Sequence, residues 1–228
     1  ILGVLTLSGL GFKFSGAVVD LAGQVGDWIR AVDPTGLVTD TGAKVFFGLI
    51  FVAIACILMG TGIPTTPTYI ILASIAAPAL ATLGVPLLAT HFFVFYYGVL
   101  ADVTPPVALA AYAAAGIAGS EPMRTGLTAF RLSMGKALVP FMFTYTPALL
   151  FVDFTWSAFV SAIVAGVVGI LALSAAFARW FATTVSRVEQ VLLSVGGLIL
   201  VFNQFWLNVA GFAIVGVTLA ANVLRARR

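Results

Sequence analysis

Apolar and polar positions alternate along this chain in blocks rather than residue by residue. Val45–Gly60 (VFFGLIFVAIACILMG) and Thr68–Leu83 (TYIILASIAAPALATL) are apolar runs of about 16 residues each, roughly 24 Å of helix at 1.5 Å per residue. Both fall short of the ~30 Å of a hydrocarbon core. Between them lies GTGIPTTP, Gly60–Pro67. Two short helices joined by such a turn have the form of a re-entrant hairpin, tolerated where the turn is buried in protein or lines a water-filled cavity. Two ordinary spans joined by a surface turn fit the same pattern. A second interruption follows, with Leu87–Leu100, then ADVTPPV at Ala101–Val107, then Ala108–Ala118. Pro105 and Pro106 remove two backbone donors and push Thr104 out of the helical region, so the ladder must open near Ala101–Pro106. This predicts a discontinuous helix.

Upstream, Ile1–Ala22 is apolar but interrupted by GLGFKFSG, and reads as an incomplete or broken span. Gly23–Lys44, with Pro34 and four glycines, reads as a polar loop. Downstream, Ser120–Lys136 is basic, with Glu121, Pro122, Arg124, Arg131 and Lys136, and is expected to lie along the membrane surface. Four spans are expected after it, at about 137–152, 155–178, 188–203 and 206–224.

Composition sets the solvent. With 61% hydrophobic and 8% charged residues among 228, and a mean hydropathy of +1.15, the chain has too little polar surface to cover a soluble globule. No ten-residue alternation suggests an outer-membrane barrel. The expected fold is all-α, a polytopic membrane helical bundle with a re-entrant hairpin and a discontinuous helix. Net charge is +3, but the Lys and Arg residues lie between apolar spans rather than on one face, so no nucleic acid is expected as a partner. Cys56 is the sole cysteine and lies in an apolar run, excluding a disulfide framework and favouring a buried small hydrophobe. The absence of Met at the start, with Ile1 opening inside an apolar stretch, leads us to expect a piece of a longer chain.

Charge orients the spans. A C terminus inside, with Arg225, Arg227 and Arg228, brings Arg179, Arg187 and the 120–136 stretch to the same side, as the positive-inside rule requires. Gly23–Lys44 then falls outside, and so does the mouth of a hairpin. Replacing the hairpin by two full spans preserves this parity.

A helix broken at the midplane exposes carbonyls at the end of one half and N–H groups at the start of the next, partial charges that hold a cation and an anion. The breaks at 60–67 and 101–106 can meet at one site. Thr61, Thr65, Thr66, Thr68 and Thr104 add hydroxyl oxygens, and hard oxygen ligands without a carboxylate suit Na⁺ better than a transition metal. Asp102 is the only acidic or basic side chain between Lys44 and Glu121. It reads either as an intramembrane proton or counter-ion site or as a hydrated residue capping the next half-helix. His91 has no second His or Cys to complete a metal site and reads as interfacial or packed, like the aromatics Phe92–Tyr97. Lys13 either snorkels or marks a polar cavity. No Walker A pattern, nucleophile elbow, paired metal ligands or dinucleotide fingerprint is present, so no enzyme is expected.

Three stretches carry a resemblance: MGTGIPTTPTYIILASIAAPAL, HFFVFYYGVLADVTPPVALAAYAAAGIAG and PMRTGLTAFRLSMGKALVPFMFTYTPALLF. They are similar to the large membrane subunit of tripartite ATP-independent periplasmic (TRAP) transporters, specifically the fused permeases that work with TAXI-type binding proteins. The resemblance runs from LTLSGLGFKFSGAVVDLAG to the C terminus. It implies an elevator-type secondary transporter of the ion-transporter superfamily, with residues 1–118 as the second of two inverted repeats, 119–136 as a cytoplasmic amphipathic linker and 137–228 as four C-terminal helices. By position it implies Na⁺ near Gly60, Gly62, Pro64, Thr65, Ala101 and Thr104, held largely by backbone carbonyls, and substrate near Thr65, Thr66, Thr104 and Pro105. No cofactor is implied beyond the coupling ion. The implied partners are a periplasmic TAXI-type binding protein, a small membrane subunit or its fused equivalent, the N-terminal repeat of the same permease, membrane lipid, and a small organic anion such as a dicarboxylate, oxo acid or acidic amino acid. The implied location is a bacterial or archaeal cytoplasmic membrane. A binding-protein-independent symporter of the same superfamily, or a non-transporting membrane scaffold, are the competing readings.

Overall fold

Apolar periodicity and its interruptions become helices and breaks in the computed structural model, which describes residues 7–32 and 40–227. Among the described residues there is helix, turn and one isolated bridge between Trp180 and Thr184, with no strand. The chain divides into two compact units, residues 1–110 and 111–228.

In the first unit, α1 (Leu10–Val32) packs on α2 (Asp40–Gly60). This corrects the expected loop at Gly23–Lys44, of which only residues 33–39 lie outside the described residues. Gly23 and Gly26 read as loop formers but serve helix packing, since a Cβ on Gly26 would already touch that of Ala43 at 3.4 Å. Asp27, Trp28 and Arg30 face outward from the same helix. The helix also runs through much of the stretch expected as a broken span, of which residues 1–6 lie outside the described residues, and Lys13 is exposed on it. Starting at Asp40, α2 is longer than the run at Val45–Gly60, and Gly42–Gly60 is long and apolar enough to cross a membrane. The hairpin therefore has unequal arms. Its second arm is α3 (Thr65–Ile75) and α4 (Ala77–Thr82), separated at Ala76 because Pro78 has no N–H for the ladder. Next comes α5 (Leu87–Leu100), ending where the sequence predicts, then a 3₁₀ turn at Ala101–Val103, and the unit closes at the start of α6 (Leu109–Ala118), whose remaining residues belong to the second unit. Leu49, Val52, Leu72, Ile75, Leu80, Phe93 and Val94 form the buried interior of this unit.

In the second unit α6 is followed by α7 (Pro122–Ser133), capped by Glu121, whose carboxylate accepts from the N–H groups of Met123 and Arg124 at 3.0 and 2.6 Å. The expected span at 137–152 is broken. It consists of α8 (Leu138–Tyr145) and a 3₁₀ turn at Pro147–Leu150, because Pro147 ends the helix and leaves Thr146 at φ −136°. Running beside it is α9 (Trp156–Ala178), which starts on the Thr155 side-chain cap and is long enough to span. At the expected span of 188–203, α10 (Arg187–Ile199) tightens to 3₁₀ at Leu200–Phe202 and turns at Asn203, which has φ +45°. Last is α11 (Phe205–Ala226), a second full-length apolar helix of this unit.

Small residues let these helices meet. A Cβ on Gly197 would lie 3.1 Å from the Gly169 carbonyl oxygen, and one on Gly211 would lie 2.8 Å from the Leu200 side chain. Leu193, Leu200, Val215 and the alanines of α9 fill the space between. The tight 180–185 turn is tied down by Asn222 of α11, whose Oδ1 accepts from the N–H groups of Ala182 and Thr183, both at 3.2 Å.

At the start of α10, Ser186 and Glu189 form a reciprocal capping box, and Arg225 donates to Glu189 Oε2 at 2.8 Å and to the Thr184 carbonyl at 2.6 Å. Desolvation opposes the Glu189 charge, but the Ser186 N–H, the Arg225 guanidinium and the Ser186 hydroxyl outweigh it and hold the carboxyl below its ordinary value. A depressed value stabilises the fold above the unfolded-state value and is lost as pH falls through the folded one. Glu189→Gln is therefore expected to cost about 0.5–1 kcal/mol at neutral pH. Thermal unfolding in detergent should show the gap between wild type and variant steady down to about pH 5 and closing below the ordinary glutamate range of about 4.3.

Candidate functional site

The Gly60–Pro64 turn is held by its own threonines. Thr61 donates through Oγ1 to the Leu58 carbonyl at 2.8 Å, closing the end of α2. Thr68 donates through its N–H to Pro64 O at 3.0 Å and through Oγ1 to Ile63 O at 3.1 Å. Gly62 bends the chain at φ +77°, a region that a Cβ penalises.

Opposite the turn is the break after α5. Thr104 leaves the helix at φ −101°, ψ 119°, as its place before Pro105 predicts. Its Oγ1 donates back to Leu100 O at 2.8 Å, its N–H donates to Ala101 O at 3.0 Å, and its carbonyl accepts from Ala108 N–H at 3.1 Å. The Pro105–Pro106 bond is cis and Ala108 sits at φ +34°. A carbonyl oxygen has two lone pairs, so the Ala101 and Thr104 oxygens each keep one beyond the hydrogen bond they accept here.

The two interruptions meet. A Cβ on Gly60 would lie 2.9 Å from the Gly98 carbonyl oxygen, 3.0 Å from Ala101 Cβ and 3.4 Å from Thr68 Cγ2. One on Gly98 would lie 3.3 Å from the same Thr68 methyl group. Across the rim, a Cβ on Gly62 would lie 3.9 Å from Val107 Cγ1. Of the residues expected to form a site, Gly60, Ala101 and Thr104 are buried at this junction, and Pro105 and Asp102 are half-buried beside it. Gly62, Pro64, Thr65 and Thr66 are exposed on the turn and the first turn of α3, outside the buried contact. Thr68, expected as a hydroxyl oxygen, and Gly98, which was not among the expected residues, complete the junction. The available signal was a glycine inside the apolar run FYYGVL, one helical turn before Ala101.

His91 is packed rather than isolated. Its Nδ1 lies 2.9 Å from the Tyr69 hydroxyl, joining α5 to α3 on a side lined by Leu88, Phe92 and Phe95. Cys56 is buried in α2. No group of three His, Cys, Asp or Glu side chains comes together among the described residues.

A bundle of apolar helices, interrupted at two places that pack on each other within one unit, defines a polytopic α-helical membrane protein with two broken helices in contact. The family model for the tripartite ATP-independent periplasmic transporter, DctM component, matches residues 1–158, and the chain belongs to that family. Members are the large permease of secondary transporters that work with a soluble binding protein and a small membrane subunit. The match covers the hairpin, the break and α8, and residues 159–228 lie outside it. Comparison with curated proteins and with solved structures gives no match.

The close contact at Gly60 yields a direct test. Gly60→Val is expected to destabilise the protein by about 1–3 kcal/mol, because the added atoms meet backbone and the buried Ala101 rather than a flexible side chain. Gly216→Ala is the control, since nothing lies within 4 Å of its added Cβ, and it should leave thermal stability unchanged or slightly raised.

Proposed function

We propose that this chain is the second transport repeat, with its following helices, of a permease that couples Na⁺ entry to import of a small organic anion delivered by a TAXI-type periplasmic binding protein. The observation that carries the reading is the contact of the hairpin turn at Gly60 with Gly98 and Ala101, which joins both interruptions in one place. Opposed helix ends of this kind offer carbonyl oxygens to a cation and N–H groups to an anion. In this reading the Ala101 and Thr104 carbonyls, the Thr104 hydroxyl and the turn carbonyls at Gly60 and Gly62 receive Na⁺. Pro64 and Thr65 add backbone carbonyls on the Na⁺ side, and Thr65, Thr66, Thr104 and Pro105 face the substrate.

Binding of Na⁺ draws the turn and the break together and orders the start of α3, so the anion site is complete only when the ion is present. That gives coupling without a carboxylate at the ion site. The hairpin is re-entrant in this reading and opens toward the binding protein, the C terminus is cytoplasmic, and an N-terminal inverted repeat and a small subunit or fused equivalent complete the transporter. Dicarboxylates, oxo acids and acidic amino acids are the matching substrate class, since their carboxylates suit exposed N–H groups and threonine hydroxyls at a helix start.

The test is uptake of labelled organic acids by proteoliposomes holding the full-length permease and its binding protein, with and without an inward Na⁺ gradient. Uptake should require both. Thr104→Val should raise the half-saturating Na⁺ concentration by about tenfold, equivalent to ~1.4 kcal/mol, and unchanged Na⁺ dependence would remove Thr104 from the site. Uptake without the binding protein would point to a stand-alone symporter, and uptake indifferent to Na⁺ but abolished by Asp102→Asn would make Asp102 a proton site. Uptake unchanged by substitutions at both interruptions would reduce them to packing breaks.

A further inference from the structure

The second unit carries a cationic surface that the transport reading does not use. Between residues 103 and 152 the sole acidic side chain is Glu121, and the cations are Arg124, Arg131 and Lys136. Glu121 is committed to the N-cap of α7, where both carboxylate oxygens accept backbone N–H groups. The three cations are exposed and make no ion pair among the described residues. Arg124 and Arg131 are seven residues apart, two turns or about 10 Å along one face. That face points away from Gly126 and Ser133, the buried residues on the side of α7 that packs against α9.

The same surface is apolar along its flanks, with Met123, Leu127 and Leu132 exposed by 45%, 44% and 59%. Its depth follows from the next turn. A Cβ on Gly135 would touch the Ile170 carbonyl oxygen at 3.0 Å and the Ser174 hydroxyl, which places the end of α7 one to two turns inside the end of α9. There α9 stops at Ala178 with Arg179, and the first turn of α10 carries Arg187 and Glu189, the latter paired with Arg225 near the end of α11. The end of α7 thus lies beside the basic terminus of a membrane-length helix. At 12 residues, α7 covers roughly 18 Å and is too short to span.

We infer that α7 is an interfacial helix that binds anionic phospholipid, with Arg124 and Arg131 on the headgroup phosphates and Met123 and Leu127 in the outer acyl region. Basic faces flanked by apolar residues hold acidic bilayers by this combination. The cations, with Glu121 withdrawn into the cap and Glu189 paired with Arg225, favour a lipid surface over a protein partner. The inference rests on the chain being embedded in a membrane and not on what it transports.

The test uses the full permease in vesicles, carrying a fluorescent label on Thr128→Cys, on the exposed face between the two arginines. Native Cys56 is buried and escapes the label. Quenching by brominated phosphatidylglycerol is compared with quenching by brominated phosphatidylcholine in vesicles of otherwise equal composition. The phosphatidylglycerol should quench at least about twofold more strongly, and raising salt to about 1 M should shrink the difference, because the Debye length falls to ~3 Å. Arg124→Gln with Arg131→Gln should equalise the two lipids, and Arg124→Lys with Arg131→Lys should restore the preference. Equal quenching in the unsubstituted background would overturn the inference, as would a preference that survives the Gln pair. Absence of quenching by either lipid would show the face covered by protein and overturn it too.

Discussion

Every backbone N–H and C=O inside an apolar bundle must find its partner within the protein, because neither lipid nor apolar side chains supply one. The interruptions in this chain are arranged around that requirement. Where α2 stops, Thr61 turns back onto the Leu58 carbonyl; where α3 starts, Thr68 covers those of Ile63 and Pro64; where α5 stops, Thr104 covers those of Leu100 and Ala101. Threonine suits the task, since its hydroxyl donates to a carbonyl while its methyl group stays in the apolar packing. Thr68 does both, with its Oγ1 on Ile63 and its methyl against Gly98. A carbonyl satisfied once still has a lone pair, so the arrangement that makes a break tolerable also makes it receptive to a cation.

Small residues carry the packing that follows. Apolar helices gain little from the hydrophobic effect when their surroundings are equally apolar, and association depends on close van der Waals fit. Gly60 against Gly98 in the first unit, and Gly169 against Gly197 in the second, bring backbones to distances that no larger residue permits. The same device therefore joins two chain breaks in one unit and two regular helices in the other.

The second unit also shows a polarity along its long helices. Exposed Trp156 opens α9 and exposed Phe205 and Trp206 open α11, while Arg179 follows the first helix and Arg225 and Arg227 close the second. Aromatic residues at interfaces and basic residues on one side are the ordinary marks of membrane placement. The cationic face of α7 belongs with the basic end of this pattern through Gly135 and its contact on α9.

Much of the architecture was legible in the order of residues because helix interruption is a local matter. Pro105 and Pro106 act on the backbone of their own neighbours, and so α5 ends at Leu100 and Thr104 is extended, as the sequence requires. Proline was misjudged where it lay inside an apolar run, at Pro78 and Pro147, since a hydropathy pattern does not register a missing N–H. Gly23 and Gly26 were misread for the opposite reason: a glycine that frees a loop and a glycine that admits a neighbouring helix are identical until the neighbour is known. The sequence by itself determined an all-α membrane chain and the places where its helices open, through propensity, hydropathy and proline sterics. Only the tertiary structure decided that Gly60 rests on Gly98 and Ala101 and that Thr65 and Thr66 stand outside the buried junction, because those facts depend on which helix faces meet across a separation of some forty residues.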